Sequence, residues 1–87
     1  MRHVLARAHT TIWMHSPECG ICRSRLFLCH CVGTLGRGDT FTILSTHDEE
    51  EMRYYIVLAS SGVRMFYFLA SEERFFFTKL SCDAATV

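Results

Sequence analysis

The stretch RYYIVLASSGVRMFYFLA, residues 53–70, decides the predicted fold. Both of its ends are rich in β-branched and aromatic residues, which favour strands, and Ser61-Gly62 between them is typical of a hairpin turn. The flanking runs TFTILSTH (40–47) and RFFFTKL (74–80) have the same composition. Because short polar connections join these four runs, we expect a three- to four-stranded antiparallel β-meander.

A membrane helix over residues 54–70 is the alternative interpretation of this apolar stretch. It is at the short end of what spans a bilayer. Arg64 lies near its middle, and an arginine at the bilayer centre costs roughly 2.5–3.5 kcal/mol on insertion scales. The hairpin is therefore preferred, and a small membrane-associated protein using residues 54–70 stays as an alternative function.

The N-terminal segment predicts a short helix over residues 2–14. Apolar residues recur on one helical face at Leu5, Ala8 and Ile12, and the Ser16-Pro17 pair ends the pattern because proline disfavours helix in the residue before it. The glycine-rich segment 33–39 predicts a loop. The expected fold class is therefore α+β: a short N-terminal helix, a Cys/His-rich loop region and the meander.

The length of the chain and the distribution of its charges limit the number of domains and the class of partner. Eighty-seven residues predict one small domain, 1–87. Residues 1–38 form a basic, Cys/His-rich half with five arginines against Glu18 alone, whereas residues 39–87 form an acidic, β-rich half with four basic and eight acidic residues. The formal net charge is zero, so nucleic-acid binding is not supported.

The cysteine-histidine cluster over residues 15–31 is the part of the sequence with evident chemistry. Its Cys-x-x-Cys pair suits zinc, because two intervening residues allow a tight turn that directs both thiolates at one ion. Tetrahedral Zn²⁺ needs two further ligands, and alternate residues of an extended segment point the same way. The predicted ligands of one structural zinc are Cys19, Cys22, Cys29 and Cys31, with His15 or His30 as substitutes.

The segment CGICRSRLFLC resembles the first half of the fungal binuclear zinc-cluster DNA-binding domain, which has a Cys-x-x-Cys-x6-Cys spacing with basic residues between the second and third cysteines. Cys19, Cys22 and Cys29 match that spacing, and Arg23 and Arg25 match the basic positions. The family needs three further cysteines soon afterwards, whereas this chain has Cys31 and then none until Cys82. The resemblance covers a half-motif, so DNA binding is not transferred.

Two other interpretations of the cysteines stay open. Free cysteine behaves as a small hydrophobe, so Cys29 and Cys31 fit equally well as core residues beside Leu28 and Val32. A Cys-x-x-Cys pair also serves redox chemistry, although the βαβ context typical of that use is missing from the pattern.

Function and compartment follow from these expectations. No secretory signal is visible, which predicts an intracellular chain with reduced thiols. The acid-poor N-terminus resembles a mitochondrial presequence, and mitochondrial targeting is an alternative. We expect a non-enzymatic interaction module with one structural zinc that contacts a protein partner or forms a homodimer through its aromatic-rich C-terminal sheet. An open reading frame product without evolved function is the remaining alternative.

Overall fold

The computed structural model describes residues 3–19 and 31–82, and these residues form one antiparallel sheet of seven strands. A 3-10 turn, Ala70–Glu72, and a single-turn helix α1, Glu73–Phe76, precede the last strand. The strands in chain order are β1 Val4–Ala8, β2 Ile12–His15, β3 Cys31–Leu35, β4 Thr40–Glu49, β5 Met52–Ala59, β6 Gly62–Leu69 and β7 Phe77–Cys82.

The order of the strands across the sheet is β3-β2-β6-β5-β4-β1-β7, which forces the sheet to curl. The chain passes from the end of β1 at Ala8 to the start of β2 at Ile12, a link of at most about 15 Å. In a flat sheet these strands would be four spacings apart, or roughly 19 Å. The strands therefore form a curled half-barrel.

Backbone hydrogen bonds join the two short crossovers at one end of the half-barrel. The Ala8 N–H donates to the Asp39 carbonyl over 2.9 Å, and the Gly38 N–H donates to the Ala8 carbonyl over 2.8 Å. Gly38 has φ +92°, a left-handed conformation that glycine adopts without steric cost. The turn between β3 and β4 is thereby attached to the end of β1.

The hydrophobic core is one cluster of buried side chains. Tyr55 of β5 pairs with Phe66 of β6, and both side chains are buried. Phe77 of β7 meets the Tyr55 ring edge-on at 5.2 Å between ring centroids, across the interior. The rest of the buried cluster is apolar and comes from the other strands, β1 to β6: Ala6, Ala8, Ile12, Met14, Leu35, Phe41, Ile43, Val57, Ala59 and Phe68.

The α+β prediction is wrong, because the predicted N-terminal helix does not form. Residues 4–8 and 12–15 are strands, and their burial alternates: Ala6, Ala8 and Met14 are buried, whereas Arg7 and Trp13 are exposed. This is the two-residue period of a strand. The backbone hydrogen-bonding groups of β1 pair with β4 and β7, which are distant in sequence.

The short meander is also wrong as a description of the sheet. The runs at 40–47 and 53–70 do form neighbouring strands, with a two-residue turn at Ser60-Ser61, one position before the predicted one. The run 74–80 is instead divided between α1 and β7, and β7 pairs with β1. Part of the predicted glycine loop, residues 33–35, belongs to β3.

The stretch 54–70 that suggested a membrane helix forms most of β5, the hairpin turn and all of β6. Among the helices in the described ranges, none is long and apolar enough to span a bilayer.

Candidate metal centre

One predicted zinc ligand and one predicted substitute are brought together by the pairing of β2 with β3. His15, the last residue of β2, lies directly opposite Cys31, the first residue of β3. The register shifts between Met14 and His15 through a β-bulge or irregularity, so this pair follows a distortion of the ladder. His15 and Cys31 nevertheless lie across from each other on neighbouring strands.

The surroundings of the pair differ for its two members. The His15 imidazole is half-buried and stacks on the Tyr67 ring of β6, with centroids 5.4 Å apart and planes 24° apart. The Cys31 thiol is exposed and donates to the Gly33 carbonyl oxygen over 3.1 Å. The imidazole is thus oriented by an aromatic ring, whereas the thiol is accessible from solvent.

The other predicted ligands lie along the segment that joins β2 to β3. Cys19 is the last residue of a 3-10 turn, Pro17–Cys19, which begins two residues after His15. Cys22, Cys29 and His30 lie outside the described residues. Over residues 3–19 and 31–82, no group of three or more His, Cys, Asp or Glu side chains is arranged to hold a metal ion.

A second polar cluster, which the sequence reasoning missed, attaches α1 to the sheet. Arg53 of β5 donates from Nη1 to Glu73 Oε1 over 2.9 Å and from Nε to Asp48 Oδ1 over 2.6 Å. The buried Tyr55 hydroxyl also donates to Glu73 Oε1, and Lys79 Nζ lies 3.7 Å from Glu73 Oε2. The alternation of β5 offered a signal, since it puts Arg53 and Tyr55 on one face.

The ionisation of this cluster reflects both burial and charge. Burial raises the pKa of Tyr55 well above its ordinary value, and the adjacent Glu73 carboxylate raises it further. Burial opposes ionisation of Glu73 too, but hydrogen bonds from Tyr55 and Arg53 outweigh it and hold the pKa of Glu73 below its ordinary value. Glu73 is therefore a carboxylate and Tyr55 a neutral donor at neutral pH.

A half-open cavity of about 330 Å³ lies at the end of the half-barrel where the crossovers meet. Apolar side chains such as Met14 and Leu35 form part of its wall. Its polar lining consists of hydroxyl groups and one carboxyl group, from Thr34, Thr40, Ser60, Ser61 and Asp39. The Gly36 N–H already donates to Asp39 Oδ2 over 2.8 Å, so this carboxylate is engaged in closing the turn.

Comparison with known proteins leaves the geometry as the basis for any functional argument. No protein-family model, no curated protein and no solved structure matches the chain.

Proposed function

We propose that the protein is a small, non-enzymatic interaction module whose N-terminal half is stabilised by one structural zinc ion. The observation that carries this proposal is the register of β2 and β3, in which His15 lies opposite Cys31. The other two ligands come from among the cysteines between them, Cys19, Cys22 and Cys29, with His30 as a substitute. This revises the predicted ligand set by giving His15 a primary role.

The chemistry of the pair suits zinc. A neutral imidazole nitrogen binds Zn²⁺ at about 2.0–2.1 Å and a thiolate at about 2.3 Å, so one ion spans two side chains on adjacent strands. The stacking of His15 on Tyr67 restricts the rotation of the imidazole, as partners of metal-binding histidines usually do. The exposed Cys31 thiol is accessible to an incoming ion.

The proposed site is structural because all four positions of the ion are filled by protein ligands. A catalytic zinc keeps one position for water or substrate. Binding would connect β2, the segment after it and β3, and so add to the stability of the folded chain. Zinc binding should therefore raise the melting temperature of the protein.

The partner of the module is another protein chain. The sequence pointed to the aromatic side chains of the C-terminal strands, but Tyr55, Phe66 and Phe68 are buried in the core. The exposed large apolar side chains of the C-terminal strands are instead Leu58, Val63, Leu69 and Leu80, and Leu58 and Val63 are register partners. A contact through these C-terminal strands would therefore use aliphatic side chains.

Zinc content and thermal unfolding test the proposal. Protein expressed with zinc should carry one ion per chain, and a chelator should lower its melting temperature. His15→Phe keeps a ring for Tyr67 but removes the ligand nitrogens, so it should lose zinc, as should Cys31→Ser. His47→Ala is the matched control, because His47 is an exposed histidine on β4.

Three results would contradict the proposal. The first is a wild-type chain without stoichiometric zinc. The second is equal zinc content in His15→Phe, Cys31→Ser and wild type. The third is a chain that lacks cooperative unfolding with and without zinc, which would favour a product without evolved function.

A further inference from the structure

The two edges of the described sheet differ in how they discourage pairing with another chain. Within the described ranges, β3 and β7 each have a strand neighbour on one side only. Exposed edges carry unpaired N–H and C=O groups, and natural proteins commonly place lysine or proline on them. β7 contains the exposed Lys79, whereas β3, with the sequence CVGTL, contains no charged residue and no proline.

The largest exposed apolar side chain lies next to the uncharged edge. Trp13 of β2 is 64% exposed and lies opposite Thr34 of β3, and Val32 of β3 is 46% exposed. Thr34 is small, so the indole of Trp13 has room to extend over it towards a strand added beside β3. An added strand would therefore gain both backbone hydrogen bonds and a side-chain contact with Trp13.

We propose that β3 pairs antiparallel with β3 of a second copy of this chain and forms a two-fold symmetric dimer with Trp13 at its interface. A two-fold axis brings the same surface of both chains together, so the surface must not carry like charges. The edge from Cys31 to Leu35 meets this condition, whereas a β7 pair would bring two copies of Lys79 together. A strand of five residues makes a small interface, so the dimer should dissociate on dilution.

This inference names the partner of the proposed module and rests on that part of the proposed function, but it does not require zinc. Zinc content is therefore measured in the same samples. A chain that dimerises without bound zinc would support the dimer and contradict the zinc site. A chain that binds zinc but stays monomeric would support the zinc site and contradict the dimer.

Sedimentation equilibrium and tryptophan fluorescence test the dimer on the full chain. Trp13 is the single tryptophan, so its emission reports on the proposed interface alone. Wild type should show a concentration-dependent monomer–dimer equilibrium and a blue shift of emission as the dimer forms. Thr34→Lys places a cation on the edge and should abolish both signals.

Thr78→Lys is the control, since it makes the same substitution at an exposed position of the opposite edge strand, and it should dimerise as wild type does. Because it also removes the hydrogen bond between Thr78 and His9, its folding is checked by thermal unfolding in the same samples. Trp13→Ala changes an exposed side chain without adding charge to β3 and should weaken dimerisation even if Thr34→Lys fails to fold. A wild type that is monomeric at every concentration would overturn the proposal. So would a Trp13→Ala variant that dimerises as tightly as wild type, or a Thr78→Lys variant that abolishes dimerisation.

Discussion

Arg53 on β5 donates a hydrogen bond from Nη1 to Oε1 of Glu73 on α1 over 2.9 Å, and this contact attaches the single-turn helix to the sheet. Their side chains are 28% and 21% exposed, so water screens the ion pair only in part. Asp48 and Tyr55 complete the cluster from neighbouring positions of β4 and β5. The position of α1, and hence of Phe77 after it, depends on these contacts.

Glu73→Gln should lower the free energy of unfolding by about 1–2 kcal/mol. The amide oxygen still accepts hydrogen bonds, but the charge that Arg53 and Tyr55 stabilise is lost, and partial exposure limits the effect. Urea denaturation measures the change. The adjacent exposed Glu72→Gln is the control, and an equal loss of stability in both variants would show that the cluster adds nothing specific.

The contribution of Glu73 to the stability of the fold should decrease as the pH is lowered. Its pKa lies below the ordinary value in the folded protein, so its stabilising effect is present above the unfolded-state pKa and is lost as the pH falls through the folded-state pKa. The stability difference between wild type and Glu73→Gln should therefore be constant near neutrality and shrink below about pH 4.5. Urea unfolding at a series of pH values checks this, and a difference that grows with acid would refute it.

Tyr55→Phe should cost about 1 kcal/mol, because it removes one hydrogen bond to Glu73 while keeping the ring among Phe66, Phe68 and Phe77. Spectrophotometric titration gives an independent readout. Since the pKa of Tyr55 is raised, wild type should contain a tyrosine that resists ionisation at alkaline pH, and the variant should lack that late step. If the titration curves of wild type and Tyr55→Phe coincide above the pH at which ordinary tyrosines ionise, the pKa of Tyr55 is not raised.

Gly62→Ala should destabilise the fold by about 1–2 kcal/mol. Gly62 has φ +117°, and an added Cβ would lie 3.3 Å from Arg64 Nη1. Gly33→Ala is the control, since its Cβ would meet only Met14 Cε, at an ordinary 3.8 Å. Thermal unfolding should separate the two variants, and equal melting temperatures would mean that the hairpin adapts without strain.

Phe77→Ala should cost about 3–5 kcal/mol, as expected for a large side chain removed from a core. Phe75→Ala should stay within about 1 kcal/mol of wild type, because Phe75 is exposed and its ring contacts the Arg74 guanidinium at 4.8 Å. Denaturant unfolding of both variants measures the contrast. Comparable losses in the free energy of unfolding would mean that the three phenylalanines at 75–77 are buried more evenly than the structure indicates.

The strands that pair with sequence neighbours were predictable, and those that pair at long range were not. The hairpin of β5 and β6 follows from the residues of 53–70, because its turn and both strands are local. The segment 2–14 was predicted as a helix because Leu5, Ala8 and Ile12 fit a helical period. A short apolar pattern fits both the helical period and the two-residue period of a strand. The pairing of β1 with β4 and β7 stabilises the strand.

The candidate metal site likewise has features that the sequence predicts and features that depend on the tertiary structure. Residue types and spacing indicated that the cysteines and histidines between positions 15 and 31 suit zinc, and that remains a prediction. The opposition of His15 and Cys31 is decided by the register of β2 and β3, which no local pattern contains. The cluster of Arg53, Tyr55 and Glu73 likewise joins residues up to 20 positions apart.

The sequence by itself determined the β-rich character of residues 40–70, the position of their hairpin within one residue and the chemical nature of the candidate ligands. These depend on side-chain preferences that act over a few residues. Only the tertiary structure decided the seven-stranded order, the burial of Phe77 rather than Phe75 and the pairing of β1 with β4 and β7. The physical reason is that two short crossovers curl the sheet, and the curl selects which faces are removed from water.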